Sequence, residues 1–289
     1  QNYWHEICDY EDSPFGCKEL MPLAVRKMQR ATDSSLWQSV APKQATFLSG
    51  LPKYTWTKNR IIFQQFQFLC SKLTSFGVSV MAIKGMAEML RDPEVMFMRT
   101  SRDIDIVIQP KDLAISIELF HSLGWRTDQL AQGLPSSLSE FDGNSFTFHH
   151  PDHIISLDVH FDAISDGRGE YMEFTQELWA SRNILSGYQG LLSIPSMQNQ
   201  FCLFLANAFV PDNWNTGLVN KYLYDLLRQL QYMTSAKKKE AQKRAQHYLA
   251  MGEYARQIFY LSDCIDPNRD VAGNPFTYTI RTRCRLISH

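Results

Sequence analysis

Several features that would place this 289-residue chain in a specialised class are missing from its sequence. Its six cysteines form no C-x-x-C pair and have no metal-ligand spacing, so we expect buried, reduced thiols rather than a disulfide framework. Lys and Arg total 29 against 30 for Asp and Glu, which leaves no global field to attract nucleic acid or an anionic membrane. No apolar run is long enough to span a bilayer, and the first residues lack a signal-peptide pattern. We therefore expect a soluble, cytoplasmic protein without a membrane partner.

The hydrophobic patterning predicts an α+β fold in three segments without internal repeats. Residues 1–57 form an N-terminal helical or irregular segment, residues 58–165 a small α/β core, and residues 166–289 a mostly helical C-terminal domain. In the core, a helix ending near Gly77 precedes a short β-branched strand. A helix that stops at Pro93, the strand "DIDIVIQ", another helix and two strands around a Pro151-Asp152 turn follow. This order is typical of a small mixed sheet with flanking helices.

The strand "DIDIVIQ" places two carboxylates on one face. Asp103 and Asp105 alternate with Ile104, Ile106 and Ile108, and residues two apart in a strand point the same way. Like charges so close oppose each other's ionisation unless a cation lies between them, and Mg²⁺ typically takes one or two carboxylates plus substrate phosphates. A strand end that reaches solvent is the alternative, and the two residues alone leave it open.

A second strand repeats the pattern. In "IISLDVHFD", Asp158, His160 and Asp162 lie on the face opposite Leu157 and Val159. If this strand lies beside "DIDIVIQ", Asp158 completes a cluster of three acids, the ligand set that commonly serves two-metal phosphoryl or nucleotidyl displacement. His160 then orients Asp158, contacts a triphosphate, or packs at the sheet edge, and the sequence leaves these three alternatives open. Asp162, nearer the strand end, should matter less.

The stretch "MAIKGMAEML" predicts a strand, a tight turn at Lys84 and Gly85, and a helix N-terminus. A glycine lets the backbone approach a phosphate closely, and the first turn of a helix presents free N–H groups to an anion. Lys84 adds a positive charge. A strand-turn-helix junction is a weak signal alone, but an Asp-x-Asp strand follows it one helix later.

Taken together, "IKG", "RTSRDIDIVI", "LFHSLGW" and "HHPDHIISLDVHFD" resemble the uncharacterised nucleotidyltransferase family of the polymerase β-like superfamily. The resemblance covers residues 78–165, with a weaker echo of the family's helical tail in "LVNKYLYDLL", where Lys221 and Asp225 share a helical face. It implies that Asp103, Asp105 and Asp158 are the catalytic, metal-binding carboxylates. It also implies a nucleotide-binding set of Lys84, Gly85, Arg99, Ser101 and His160. The Lys-Gly-Met turn departs from the superfamily's usual Gly-Ser turn but agrees with this family and with toxin-type nucleotidyltransferases.

The resemblance implies a two-metal enzyme that uses Mg²⁺, or alternatively Mn²⁺, to transfer a nucleoside monophosphate from an NTP, with ATP favoured. The acceptor hydroxyl or phosphate would belong to a small molecule or a peptide intermediate, which suits the near-neutral charge. One alternative is a toxin-type enzyme acting on tRNA, for which the basic run from Lys237 to Arg244 offers a modest surface. Another is a non-catalytic module that binds a nucleotide or a protein.

Other chemistry-bearing residues give weaker signals. His149, His150 and His153 bracket a turn, but their spacing matches no common zinc motif and favours ordinary turn histidines. Arg102 and Arg126 are expected to be solvated charges. Trp214 lies in "FVPDNWNTG", either a loop over the cleft or a plain turn between helices.

Overall fold

A computed structural model describes residues 15–30, 42–130, 133, 138, 143–153, 155–164, 172–209 and 219–265. Its described helices are α1 (Phe15–Arg30), α2 (Pro42–Ser75), α3 (Lys84–Arg91), α4 (Leu113–Ser122), α5 (Met172–Ala180), α6 (Met197–Ala208), α7 (Val219–Gln231), α8 (Ser235–Leu249) and α9 (Gly252–Ile265). Its strands are β1 (Val80–Ala82), β2 (Asp103–Ile108), β3 (Ser145–Phe148), β4 (Ser156–His160), β5 (Asn183–Ile184) and β6 (Leu192–Ile194). Short 3₁₀ turns lie at Pro93–Phe97, Pro110–Asp112, Asp128–Leu130 and Tyr188–Gly190.

The six strands form one mixed sheet in the order β3-β4-β2-β1-β6-β5. β2 lies inside the sheet, where it pairs antiparallel with β1 and parallel with β4. The parallel pair sets Asp105 directly beside Asp158, and Asp103 beside Ser156. The adjacency on which the proposed carboxylate cluster depended is therefore present, and the predicted α+β fold with a mixed sheet is confirmed.

Apolar layers cover both faces of this sheet. Ile104, Ile106 and Ile108 of β2 join a core beneath α2, α3 and α4. On the opposite face, Met81 and Val107 pack in a second core with α6, α7, α8 and α9. The face that carries the acids is thus apolar further along β2, and its polar part is limited to the start of the strand. This places the carboxylates at the edge of the second core, beside α7.

Two strands of the sheet were missed by the sequence prediction, which treated the chain beyond residue 166 as mostly helical. β6 pairs parallel with β1, matching Val80 with Leu192, and β5 pairs antiparallel with β6. Strands of two and three residues are too short for a reliable alternation pattern, so tertiary pairing decides their conformation. Helix α2 also runs across residue 57. The segment boundaries after residues 57 and 165 remain predictions.

Cys70 and Cys202 are buried and unbridged, and burial raises the pKa of both thiols, that of Cys202 to about 12. Among the described residues, no helix combines the length and apolar character that crossing a membrane requires.

Candidate active site

Three carboxylates meet at the start of β2 and the middle of β4. One ligand oxygen each of Asp103, Asp105 and Asp158 lies within 4.8 Å of the other two. Asp105 is buried, whereas Asp103 and Asp158 are partly exposed, so the cluster opens towards solvent on one side. In the described part of the chain, no other group of His, Cys, Asp and Glu side chains converges in this way. An all-carboxylate set of hard oxygen donors suits Mg²⁺ or Mn²⁺.

Asp105 is held as a carboxylate by two neighbours. Lys84 Nζ donates to Asp105 Oδ1 at 2.8 Å, and His160 Nε2 lies 3.2 Å from the same oxygen. Burial works to raise the pKa of Asp105, but the Lys84 ammonium and His160 outweigh it and hold this pKa well below its usual range. Burial works to lower the pKa of Lys84, but the Asp105 carboxylate outweighs it and raises this pKa. The pair therefore stays charged, and Asp105 has one oxygen left for another ligand.

The pKa of Asp158 is shifted in the opposite direction to that of Asp105. Burial, followed by the nearby charges of Asp105 and Asp103, raises the pKa of Asp158 above its ordinary value. Its Oδ1 is buried and has no hydrogen-bond partner. A buried carboxylate oxygen without a donor costs free energy, and a cation placed between the three acids removes that cost. The donor set and this unpartnered oxygen both fit a bound metal.

The Lys84-Gly85 turn differs in detail from the expected phosphate turn. Lys84, not the glycine, takes a positive φ of 49°, a backbone conformation that costs a non-glycine residue roughly 1–2 kcal/mol. This turn points its side chain at Asp105. Gly85 is needed for close approach, because a Cβ there would overlap Arg99 Nη1 and lie 3.1 Å from Ser101 Oγ. The space beside the glycine is filled by protein side chains.

Arg99 is buried in an ion pair with α7. Its Nε lies 3.0 Å from both carboxylate oxygens of Asp225, and its Nη1 donates to Ser101 Oγ at 3.3 Å. The Asp225 carboxylate raises the pKa of Arg99 against the opposing effect of burial, so the guanidinium remains charged. Arg99 therefore connects the loop before β2 to α7, and the described hydrogen bonds of its guanidinium go to Asp225 and Ser101.

Sequence reasoning missed three polar residues around the loop before β2 and the Lys84 turn. Asn59 of α2 donates to the Arg99 carbonyl at 2.7 Å and accepts from the Ser101 amide at 3.1 Å. Gln200 of α6 donates to the Lys84 carbonyl at 2.9 Å. Tyr222 of α7 lies near enough to Lys84 and Asp105 to influence the Lys84 pKa. Each residue sits in a helical pattern that gives no local hint of a distant partner.

Two other acids of the core, Glu88 and Asp162, bond to side chains outside the carboxylate cluster. Glu88 is buried in a network with Arg91 and Arg228, each of which donates to it at 2.7 Å. Asp162 accepts a short hydrogen bond from Thr175 Oγ1.

The weaker candidates lie apart from the carboxylates. His150 and His153 stack with ring centroids 4.2 Å apart, and both contact Trp125. Arg126 donates to backbone carbonyls, and Arg102 pairs with Glu19 at 2.7 Å. Along α8 the basic run is largely exposed, except that Arg244 pairs with Glu177 and Glu240. Trp214 lies outside the described residues.

A family model and a solved structure are similar to this chain. Among solved structures, the solution structure of the antibiotic-resistance factor ANT(2'')-Ia is similar, with 15% identity and a TM-score of 0.44. That match covers 68% of this chain and 98% of the other. Among curated proteins, none is significantly similar in sequence. The model of a family described as "uncharacterised nucleotidyltransferase" matches residues 19–260, most of the chain. The chain therefore belongs to this uncharacterised nucleotidyltransferase family.

Proposed function

We propose that the protein transfers a nucleoside monophosphate from an NTP to an acceptor hydroxyl or phosphate, in a reaction that depends on Mg²⁺. The observation that carries this proposal is the cluster of Asp103, Asp105 and Asp158, whose ligand oxygens lie within 4.8 Å of one another. A module that only binds a protein has no physical need for three acids at one point, since their repulsion costs stability.

Asp103, Asp105 and Asp158 would hold the metal. Bound there, two divalent ions would neutralise charge on the triphosphate and the departing pyrophosphate and favour the attacking oxygen's deprotonated state. Mn²⁺ has similar ligand preferences and should substitute.

Residues of the chain itself would orient the metal-binding carboxylates and accept the proton. Lys84 and His160 keep Asp105 ionised and fixed in one orientation. Asp158, with its raised pKa and an unpartnered oxygen, is suited to accept the proton of the acceptor hydroxyl. In the transfer, the acceptor oxygen forms a bond to the α-phosphorus, the bond from that phosphorus to the bridging oxygen breaks, and pyrophosphate leaves with that oxygen.

For the acceptor, we favour a small molecule or a peptide intermediate, with ATP as the donor. The support is the formal net charge of −1, which leaves no strong field for a polyanion. A tRNA acceptor would need the exposed lysines of α8, including Lys237, Lys239 and Lys243. Activity on RNA that falls steeply with added salt would favour that alternative.

The direct test is pyrophosphate release from each of the four NTPs, with and without Mg²⁺, in the presence of candidate acceptor pools. We expect Mg²⁺-dependent release by the wild type and a loss of at least 100-fold in Asp105→Asn. Asp128→Asn is the matched control, because Asp128 is exposed in a 3₁₀ turn and is not one of the three clustered acids. Release that survives Asp105→Asn unchanged would contradict the proposal.

A further inference from the structure

Helix α2 carries a line of large apolar side chains on its outer surface. Tyr54, Ile61 and Phe68 are 69%, 48% and 52% exposed, and each lies seven residues after the one before it. Seven residues are close to two helical turns, so the three side chains project from one line along about 21 Å of the helix. Single exposed apolar residues are normal, whereas an aligned series indicates an interaction surface. These three residues are called the exposed stripe below.

The opposite face of α2 already belongs to the core of this chain. Ile62, Phe66 and Leu73 are buried in the core that α2 shares with β2. Asn59, on the same inner side, is fully buried and holds the loop before β2. The helix therefore has one apolar face that packs inside the protein and a second apolar line that faces outwards.

Polar side chains separate the members of the exposed stripe. Thr57, Gln64 and Ser71 each follow a stripe residue by three positions, and all three are exposed. These are the second seam positions of a heptad pattern, so the outer surface of α2 offers a narrow seam of the kind that another helix packs against. A helix that lies in a membrane surface presents a broader, continuous apolar face.

The exposed stripe is flanked by cations on both sides. The sequence of α2 contains five Lys or Arg residues and no Asp or Glu. Lys53 and Arg60 each precede a stripe residue by one position, and Lys58 and Lys72 each follow one by four. None of these four side chains forms an ion pair with a carboxylate in the ranges that the structure describes. Residues at such flanking positions select the partner helix by its charge.

The sign of these charges decides which occupant fits. A second copy of α2 would set cations against cations in either orientation, and like charges brought together across an interface are costly. A single-stranded nucleic acid has the right charge, but it binds by stacking bases on aromatic rings, and the centre of the exposed stripe is Ile61. A helix that carries acids beside an apolar seam complements both the stripe and its flanks.

We propose that the outer face of α2 docks an acidic amphipathic helix of a partner protein. The apolar seam of that helix would pack along the exposed stripe, and its Asp and Glu side chains would face Lys53, Lys58, Arg60 and Lys72. This inference concerns a surface outside the carboxylate cluster and goes beyond the proposed function.

The test uses two synthetic peptides of four heptads and the full chain, with binding measured by fluorescence anisotropy. The acidic peptide has Leu at both seam positions and Glu at both flanking positions, and the basic peptide has Lys in place of Glu. We expect the wild type to bind the acidic peptide with a micromolar Kd and at least 10-fold more tightly than the basic one. Tyr54→Ser, Ile61→Ser and Phe68→Ser should each weaken binding of the acidic peptide at least 10-fold. Tyr260→Ser, which removes an exposed tyrosine of α9, is the matched control and should bind as the wild type does.

A charge reversal separates docking from a loss of folding. Replacing Lys53, Lys58, Arg60 and Lys72 together with Glu should invert the preference, so that the basic peptide binds at least 10-fold more tightly than the acidic one. Lys237→Glu combined with Lys239→Glu, two exposed positions of α8, should leave the preference for the acidic peptide unchanged. Because all of these changes lie at exposed or partly exposed positions, each variant should melt within about 4 °C of the wild type.

Several results would overturn the inference. Binding of the acidic peptide that survives all three serine substitutions within 2-fold would do so, as would equal affinity of the wild type for the two peptides. Absence of acidic-peptide binding would overturn it as well. In that case, a wild-type dimer that Ile61→Ser dissociates in analytical ultracentrifugation would assign the face to a second copy. Binding of poly(U) or of phosphatidylserine vesicles that Ile61→Ser abolishes would assign it to nucleic acid or to a membrane. Each of these results leaves the proposed nucleotidyl transfer intact, because none of them measures it.

Discussion

Removing the charge of Asp158 should stabilise the metal-free protein while it impairs transfer. Two unit charges at 4.8 Å, the upper limit of the separation between the ligand oxygens, repel by about 3.5 kcal/mol at an effective dielectric constant of roughly 20. Lys84 and His160 offset part of the charge of Asp105, and Asp105 and Asp103 both repel the Asp158 carboxylate. Because Asp103 and Asp158 are partly exposed, solvent screening reduces the expected gain to about 1–2 kcal/mol. For a chain of this size, that is a rise in melting temperature of about 2–6 °C.

The gain from Asp158→Asn should depend on pH. The pKa of Asp158 is raised above 3.8 in the folded state, so between 3.8 and that raised pKa the folded state binds a proton that the unfolded chain has released. Stability contributed by this group therefore falls as pH rises through that window. The advantage of Asp158→Asn should be full above the raised pKa and vanish below pH 3.8, where both states are protonated.

Thermal melts of EDTA-treated protein between pH 4 and pH 8 measure this effect, with Asp128→Asn as the exposed control. Adding Mg²⁺ should raise the melting temperature of the wild type more than that of Asp158→Asn, because a ligand that binds only the folded state stabilises it by mass action. The reasoning is refuted if Asp158→Asn melts at or below the wild type in EDTA at pH 8. Equal gains in Asp158→Asn and Asp128→Asn would refute it as well.

Two further changes test the framework around the site. Gly85→Ala should lower the free energy of unfolding, measured by chemical denaturation, by about 1–3 kcal/mol, because the added Cβ meets the buried Arg99 guanidinium. Gly50→Ala, with open space around it in α2, should raise that free energy by about 0.5–1 kcal/mol. Equal effects of the two substitutions would contradict the close approach of Arg99 to Gly85. Arg228→Met should lower the free energy of unfolding by about 3 kcal/mol, since it leaves Glu88 buried with one fewer cation. Adding Glu88→Gln should recover part of that stability. No recovery in the double variant would show that the buried charge of Glu88 is not the cause.

The carboxylate cluster was accessible from sequence because strand periodicity fixes it locally. The alternation of Asp103 and Asp105 with isoleucines identifies one polar face, and Asp158 follows the same rule in β4. Only the pairing of β2 with β4 was unknown, and the structure supplies it. The short β5 and β6 were missed because two or three residues carry no measurable period.

The supporting contacts could not be predicted because they join distant parts of the chain. Arg99 and Asp225 are 126 positions apart, and Asn59 reaches Ser101 across 42. Nothing in either local pattern identifies the partner. The turn at Lys84 shows a different limit: the sequence indicated an unusual backbone, but the positive φ falls on the lysine, and the glycine makes room for Arg99.

The central claim is that Asp103, Asp105 and Asp158 hold the metal that meets the triphosphate. A crystal soaked with Mn²⁺ and a non-hydrolysable NTP, measured for anomalous scattering from manganese, tests it most directly. We expect an anomalous peak roughly 2.0–2.3 Å from oxygens of the Asp103 and Asp105 carboxylates and of the triphosphate, with Asp158 in the same coordination sphere. A triphosphate bound in the cleft with no anomalous peak between it and these carboxylates would contradict the account.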